Sequence, residues 1–111
     1  KNNINISISD KDNIDDIFFK LYLDYVENNL KEGIHVVKDF PEYTSLMSRS
    51  NGPFSERFEI YINGYEIANG CSELDDPVKQ LENAKLANKI RKQLYNQEYP
   101  IDQEFIKSVE V

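Results

Sequence analysis

The dipeptide Asn63-Gly64 constrains the fold of this chain more than any other feature. Both residue types adopt the positive φ angles of a tight two-residue turn, and the runs on either side are rich in Ile, Tyr and Phe. A two-residue loop would pair Ile62 with Tyr65 and, further along, Glu59 with Ala68. The sequence therefore predicts a β-hairpin centred on this turn.

Two acids lie on the predicted hairpin, where strand stability alone gives no reason for them. Side chains alternate between faces along a strand, so Glu59, Tyr61 and Glu66 would share one face, with the acids on a diagonal. Like charges this close repel unless a cation lies between them, and Mg²⁺ is often held by one or two carboxylates plus phosphates. The spacing alone leaves open a pair of solvated acids on an exposed face.

A second polar cluster follows in the same strand. Asn69, Cys71 and Glu73 share parity, but regular alternation would place them on the face opposite Glu66. A bulge at Ala68-Asn69-Gly70 would bring the two clusters together, since glycine within a strand often marks a bulge. An amide and an acid there could hold a ligand amine by charge-assisted hydrogen bonds. Alternatively, Glu73 only begins a polar loop.

The pattern ERFE-IYINGYE-IANG-CSEL-DD resembles the catalytic core of class II aminoacyl-tRNA synthetases of the lysyl type. In particular it is similar to the short paralogue that ligates (R)-β-lysine to elongation factor P. Further segments resemble the same proteins: Asn13 to Leu30, Val36 to Arg49 and Tyr99 to Val109. The resemblance implies an α+β fold, an antiparallel sheet flanked by helices. Residues 1–111 would form one partial catalytic domain, between the second and third synthetase motifs.

The resemblance also implies roles for the acids and the amide. Glu59 and Glu66 match the pair that holds Mg²⁺ against the phosphates of ATP. Asn69 and Glu73 match positions that contact the amino-acid substrate, and Glu73 is the expected partner of its side-chain ammonium.

Other positions bear on which lysine isomer is bound. Ala68 stands where true lysyl-tRNA synthetases usually carry glycine, in the part of the pocket that distinguishes β-lysine from α-lysine. Asp39-Phe40-Pro41 also favours the paralogue, whereas Ser72 is more typical of the true synthetases. Cys71 replaces an aromatic residue that packs on the methylene chain of the substrate.

The synthetase motifs that carry the ATP-binding arginines are absent from this stretch, so no catalytic residue is assigned. The resemblance implies part of an ATP-dependent ligase that activates lysine or β-lysine as an adenylate and transfers it to a lysine of elongation factor P. We expect the chain alone to form no adenylate. The alternatives are part of a true lysyl-tRNA synthetase, or a synthetase-like binding module without catalysis.

Composition fits one small globular unit. The 111 residues are 40% hydrophobic and 12% aromatic, too apolar for a disordered tail. A net charge of −7 argues against a direct grip on nucleic acid, and no apolar run reaches the roughly 20 residues of a membrane helix. The single cysteine suits a reducing cytoplasm. Unpaired edges of a partial sheet predict self-association into a homo-oligomer.

Helix signals frame the hairpin. The expected elements are a strand or ordered arm over Lys1 to Ser9, a helix capped by Asp10 or Asp12 that runs to about Asn29 and is ended by Gly33, a short strand over Ile34 to Val37, a helix capped by Asp75 or Asp76 that reaches about Tyr95, and a terminal helix from Asp102. The long second helix has Pro77 at its first position and carries Val78 and Leu94 on its apolar side.

Overall fold

The computed structural model describes residues 4–109. One α-helix precedes four consecutive β-strands and two α-helices follow them, and short turns of other helical types extend or link these elements. In chain order the elements are α1 (Ile14–Leu21), a π-helical turn (Tyr22–Val26), a 3-10 turn (Glu27–Asn29), β1 (Ile34–Pro41), a second 3-10 turn (Glu42–Thr44), β2 (Ser50–Asn51), β3 (Phe54–Ile62), β4 (Tyr65–Cys71), α2 (Pro77–Tyr95) and α3 (Gln103–Ser108).

All four strands join one antiparallel sheet with β3 at its centre. Strand β1 pairs along one side of β3, and both β2 and β4 pair along the other. The α-helices come before and after the run of strands and do not alternate with them. The predicted α+β class is therefore confirmed.

The hairpin turn forms as predicted. Asn63 and Gly64 have φ angles of 49° and 85°, and Ile62 pairs with Tyr65. The turn is also tied to the bend before β1, where Gly33 has a φ of 83°. The Asn63 amide donates to the Gly33 carbonyl at 2.9 Å, and the Gly33 amide donates to the Asn63 side chain at 3.0 Å. Gly33 therefore shapes this bend and does not end the preceding helical segment, in which α1 ends at Leu21 and the helical turns after it end at Asn29.

The predicted register is wrong beyond the first residues of the hairpin. The pairing shifts by one residue, so Glu59 lies opposite Asn69 and not opposite Ala68. The extra residue on β4 is Ile67, which lies before the Ala68-Asn69-Gly70 segment where we expected a bulge. A bulge is therefore present in the strand, but at a different residue.

Gly70 has a packing role in β4. It pairs with Phe58, and a Cβ atom added to Gly70 would lie 2.8 Å from two carbons of the Phe58 ring. Only glycine lets the ring lie this close to the neighbouring backbone. The glycine that suggested a bulge thus marks a close approach of ring and strand.

The N-terminal helix begins later than expected. Asn13 caps α1 and forms a capping box with Asp16, so neither Asp10 nor Asp12 is the cap. Asp12 instead accepts a hydrogen bond from Lys20 at 2.5 Å. Residues 4–9 form no strand; their backbone bonds the Tyr25 hydroxyl, as an ordered arm would. Residues 1–3 of the predicted arm lie outside the described residues.

Helix α2 has the predicted ends but not the predicted packing. Asp76 is its cap, Pro77 its first residue, and Tyr95 its last. Val78 and Leu94, expected on a buried side, are 65% and 67% exposed. Leu81 and Ala84 of the same predicted side are half-buried. Amide side chains also tie the helix to loop carbonyls: Gln80 donates to Leu74 at 2.8 Å and Asn83 to Leu46 at 2.7 Å.

The core lies on one face of the sheet. The buried aromatic residues there are Tyr22, Phe40 and Tyr61. The helical segment, which is α1 together with the two helical turns that follow it, covers this face. The opposite face is open within residues 4–109: Ile34 is 73% exposed and Tyr65 is 77% exposed. None of the helices in this range is both long and apolar enough to cross a lipid bilayer.

Candidate functional site

One face of the β3–β4 hairpin carries all of its closely placed polar side chains. Residues directly opposite one another share a face, and every second pair returns to it. Three such pairs form this surface, which we call the hairpin face: Arg57 with Cys71, Glu59 with Asn69, and Tyr61 with Glu66. The bulge at Ile67 makes this possible. Because Ile67 is an extra residue, the side chains of Asn69 and Cys71 lie on the same face of the sheet as that of Glu66.

Glu59 is buried at the base of the hairpin face. Its residue exposure is 6%, and its carboxylate accepts hydrogen bonds at both oxygens. Arg57 donates to Oε1 at 2.5 Å, while the hydroxyls of Tyr61 and Tyr22 donate to Oε2 at 2.8 and 3.2 Å. A carboxylate taken out of water needs such partners, so this network compensates for the desolvation of Glu59.

Tyr22 reaches Glu59 from the helical segment. It is the first residue of the π-helical turn that follows α1, and it stacks beside Phe40 with ring centroids 5.7 Å apart. Burial raises the pKa of its hydroxyl to about 12, and the charge of Glu59 acts in the same direction. Burial likewise raises the pKa of Tyr61. Both phenols therefore stay protonated at neutral pH and act as donors to the carboxylate.

Glu66 lies at the open end of the hairpin face. It is exposed, and its Oε1 accepts a hydrogen bond from Asn69 Nδ2 at 3.2 Å. Glu59 and Glu66 are thus on one face and on a diagonal, as predicted, but they differ in solvation. The structure brings Asn69 beside Glu66 as well, which regular alternation would not have done.

Cys71 and Glu73 form a separate contact at the far end of β4. The Cys71 thiol donates to Glu73 Oε1 at 3.6 Å. Burial raises the pKa of this thiol, and the charge of Glu73 raises it further. The thiol is therefore protonated at neutral pH, which does not suit a nucleophile. Glu73 itself is exposed and pairs through its backbone with Ser48.

Ala68 is the one predicted site residue that the pairing separates from the others. It lies opposite Ile60, whose neighbours Glu59 and Tyr61 point to the hairpin face. The register thus assigns Ala68 to the other face, beside the bulge. Its part in distinguishing lysine isomers stays a prediction.

Comparison with known proteins gives relatives over almost the whole chain. A lysine–tRNA ligase of Enterococcus faecalis is 30% identical over 109 residues, which are 96% of this chain. A lysine–tRNA ligase of Prochlorococcus marinus is 34% identical over 113 residues and 98% of the chain. The chain belongs to the lysyl-tRNA synthetase-like family. No protein-family profile matches it.

The family includes a second kind of relative. An elongation factor P–(R)-β-lysine ligase of Vibrio cholerae is 38% identical over 77 residues, which are 67% of this chain and 24% of that protein. The lysine–tRNA ligases are matched over 22% of their length. This lysyl-tRNA synthetase-like chain therefore spans about a fifth to a quarter of the relatives it matches.

The donor set of the hairpin face limits the kind of cation it could hold. Within residues 4–109, no group of three or more His, Cys, Asp or Glu side chains is arranged to bind a metal ion. Two carboxylates and an amide do not complete the coordination shell of a metal ion. Mg²⁺, however, usually takes only one or two carboxylate ligands from the protein, and waters and phosphates provide the remaining ligands. Glu59 and Glu66 fit that pattern.

Tyr22 and Arg57 are the members of the site that the sequence interpretation overlooked. Tyr22 follows Phe18 by four residues and so continues the apolar stripe of the helix, where a hydroxyl must find a partner. Arg57 has the same parity as Glu59 on β3. Both signals were present, but neither shows by itself that the two side chains meet at Glu59.

Proposed function

We propose that this chain supplies the amino-acid and cation-binding half of the catalytic domain of a class II, ATP-dependent lysine ligase. The observation that carries the proposal is the bulge at Ile67. It brings Asn69 and Cys71 to the face that carries Glu59 and Glu66, and Glu73, two residues beyond Cys71, accepts a hydrogen bond from the Cys71 thiol. Residues 1–111 would form a single partial domain between the second and third synthetase motifs.

Each polar group then has a defined task. Glu66, with the lone pair of Glu59 that no protein donor uses, would hold Mg²⁺ against the phosphates of ATP. When bound there, Mg²⁺ supplies positive charge that offsets the negative charge of the phosphates. Asn69 and Glu73 would bind the ammonium of lysine or β-lysine by charge-assisted hydrogen bonds. No side chain of this stretch takes a nucleophilic role.

The reaction would be the activation of the amino acid as an adenylate, followed by transfer to an acceptor amine. Adenylate formation requires positive groups beside the α-phosphate. The three arginines all have partners within the chain: Arg49 donates to Asp75, Arg57 to Glu59, and Arg91 to Asn88. We therefore expect the chain alone to be inactive and to need the rest of a synthetase domain. A ligase of this kind would act in the cytoplasm.

The acceptor is a lysine of elongation factor P in the version we favour. Ala68 and Asp39-Phe40-Pro41 support it, as does the relative from Vibrio cholerae. A true lysine–tRNA ligase is the second candidate, and it has its own support. Matches to lysine–tRNA ligases cover 96% and 98% of the chain against 67% for the elongation factor P ligase, and Ser72 agrees with them.

The net charge of −7 supports the protein acceptor over tRNA, because a nucleic-acid partner normally needs a basic surface.

Calorimetric titration tests the proposal. The chain and the full gene product are each titrated with ATP and Mg²⁺, then with lysine and with (R)-β-lysine. We expect the full gene product to bind all four and to prefer β-lysine. A full gene product that binds neither amino acid in the presence of ATP contradicts the ligase and leaves a binding module without catalysis.

A further inference from the structure

The carboxylate of Glu59 already accepts hydrogen bonds at most of its lone-pair positions. A carboxylate offers about four lone-pair positions, two on each oxygen. Arg57 uses one on Oε1, and the hydroxyls of Tyr61 and Tyr22 use both on Oε2. One position on Oε1 is left for any other ligand. Glu59 can then approach a cation through a single oxygen only.

Among the described residues that donate to Glu59, Tyr22 is the one that does not come from the hairpin. Its hydroxyl lies 3.2 Å from Glu59 Oε2 and 3.2 Å from the Tyr61 oxygen. The phenol carries one proton, and the charged carboxylate is the stronger acceptor of the two. The Tyr61 proton is already committed to Glu59 at the shorter distance of 2.8 Å.

Divalent cations differ in how they use carboxylates. Mg²⁺ requires octahedral geometry at about 2.0–2.1 Å, whereas Ca²⁺ accepts carboxylates through one or both oxygens at about 2.3–2.6 Å. A carboxylate whose Oε2 is fully occupied by phenols can offer Ca²⁺ no second oxygen. Groups behind a ligating side chain are known to orient it and to tune the metal it binds.

We propose that Tyr22 determines the cation specificity of the hairpin face: its hydroxyl closes Oε2 of Glu59 and so disfavours Ca²⁺ relative to Mg²⁺. The inference rests on the proposed function, because it takes Glu59 and Glu66 as the cation ligands. It goes further in assigning a metal-selective role to a residue of the π-helical turn, which touches neither cation nor substrate.

The test uses the whole chain with Tyr22→Phe, which removes only the hydroxyl. Affinities for Mg²⁺ and for Ca²⁺ are measured separately by calorimetry, with each metal as its chloride. We expect the ratio of Ca²⁺ affinity to Mg²⁺ affinity to rise about three- to tenfold, the range that corresponds to loss of one hydrogen bond. The Mg²⁺ affinity should stay within about twofold.

Tyr25→Phe is the matched control. Tyr25 lies in the same π-helical turn, and its hydroxyl bonds the backbone of Asn5 and not Glu59. It should leave the ratio unchanged. If Tyr22 acted only in folding, Tyr22→Phe would lower the affinities for both cations equally. The inference is overturned by an unchanged ratio of Ca²⁺ to Mg²⁺ affinity in Tyr22→Phe, or by an equal change of this ratio in Tyr25→Phe.

A second variant separates this inference from the proposed function. Glu66→Gln should lower the affinities for both Mg²⁺ and Ca²⁺ if Glu59 and Glu66 form the cation site. If the wild-type chain and Tyr22→Phe bind neither ion at millimolar concentration, the cation site fails and the inference fails with it. If both ions bind and Glu66→Gln weakens both, yet the ratio is unmoved by Tyr22→Phe, only the assignment of Tyr22 is overturned.

Discussion

At the scale of single residues, Glu59 belongs to the core and to the candidate site at once. It is buried like the aromatic residues around it, yet its carboxylate accepts hydrogen bonds from Arg57 and two phenols. Burial makes the carboxylate costly to leave unpaired and also fixes its orientation. The orientation of this carboxylate is thus fixed in part by the contact between the π-helical turn and the sheet.

Removal of this carboxylate should cost more stability than removal of its exposed counterpart. Glu59→Ala leaves a guanidinium and two hydroxyls without their acceptor, so we expect it to lower the free energy of unfolding by about 2–4 kcal/mol. Glu66→Ala should cost under about 0.5 kcal/mol, since Glu66 is exposed. Urea denaturation monitored by circular dichroism measures both. Equal losses would contradict the buried network.

The buried phenols predict a loss of stability at alkaline pH. The pKa of Tyr22 is raised from 10.0 to about 12 in the folded chain, chiefly by burial. The unfolded chain therefore releases this proton first, and the stabilisation present below pH 10 is lost as the pH rises from 10 to 12. Urea midpoints between these pH values should fall less steeply in Tyr22→Phe. Tyr25→Phe is the control, and an identical slope in Tyr22→Phe would argue against a buried neutral phenol.

At the scale of elements, the local signals of the hairpin turn and of the start of α2 predict the structure, whereas those at the two ends of the first helix and the strand register do not. The turn at Asn63-Gly64 and the start of α2 at Asp76-Pro77 depend on the conformational preferences of the residues themselves. The bulge at Ile67 depends on how β4 accommodates β3, and nothing in its own sequence marks it. The helix stripe was also recognised, but the π-helical turn that aims Tyr22 at Glu59 could not be.

The start of α2 allows a paired test of capping. Asp76 accepts hydrogen bonds from the amides of Val78 and Lys79, while its neighbour Asp75 pairs with Arg49 at the surface. Asp76→Ala should therefore lower the free energy of unfolding by about 1 kcal/mol. Asp75→Ala should have an effect of less than about 0.5 kcal/mol. Thermal or urea unfolding distinguishes them, and the reverse order would show that Asp75 is the cap.

At the scale of the whole molecule, the described residues 4–109 cover only one face of the sheet. The open face carries apolar side chains from three strands, among them Ile34, Val36 and Tyr65, which are 73%, 63% and 77% exposed. Apolar surface of this kind, together with free strand edges, favours association. The α+β class and the ligase resemblance could be predicted from the sequence, but this one-sided arrangement could not, because alternation along a strand defines two faces and not which of them a helix covers.

We therefore predict that the chain self-associates through the open face. Ile34→Lys combined with Val36→Lys should shift the average mass toward that of the monomer, measured by light scattering across a concentration series. Ile8→Lys is the control, because Ile8 is 58% exposed but lies outside the sheet. A wild-type chain that stays monomeric at the highest concentration contradicts this prediction.

The central claim is that the hairpin face is half of a lysine-activating site, and lysine-dependent exchange of pyrophosphate into ATP by the full gene product tests it most directly. Wild type is compared with Glu66→Gln and Glu73→Gln, and with Glu56→Gln as control, since Glu56 is exposed and has the opposite parity on β3. We predict exchange that falls at least about 100-fold in the first two variants and is unchanged in the third. Exchange that survives both substitutions, or that is absent from wild type with lysine and with β-lysine, would contradict the claim.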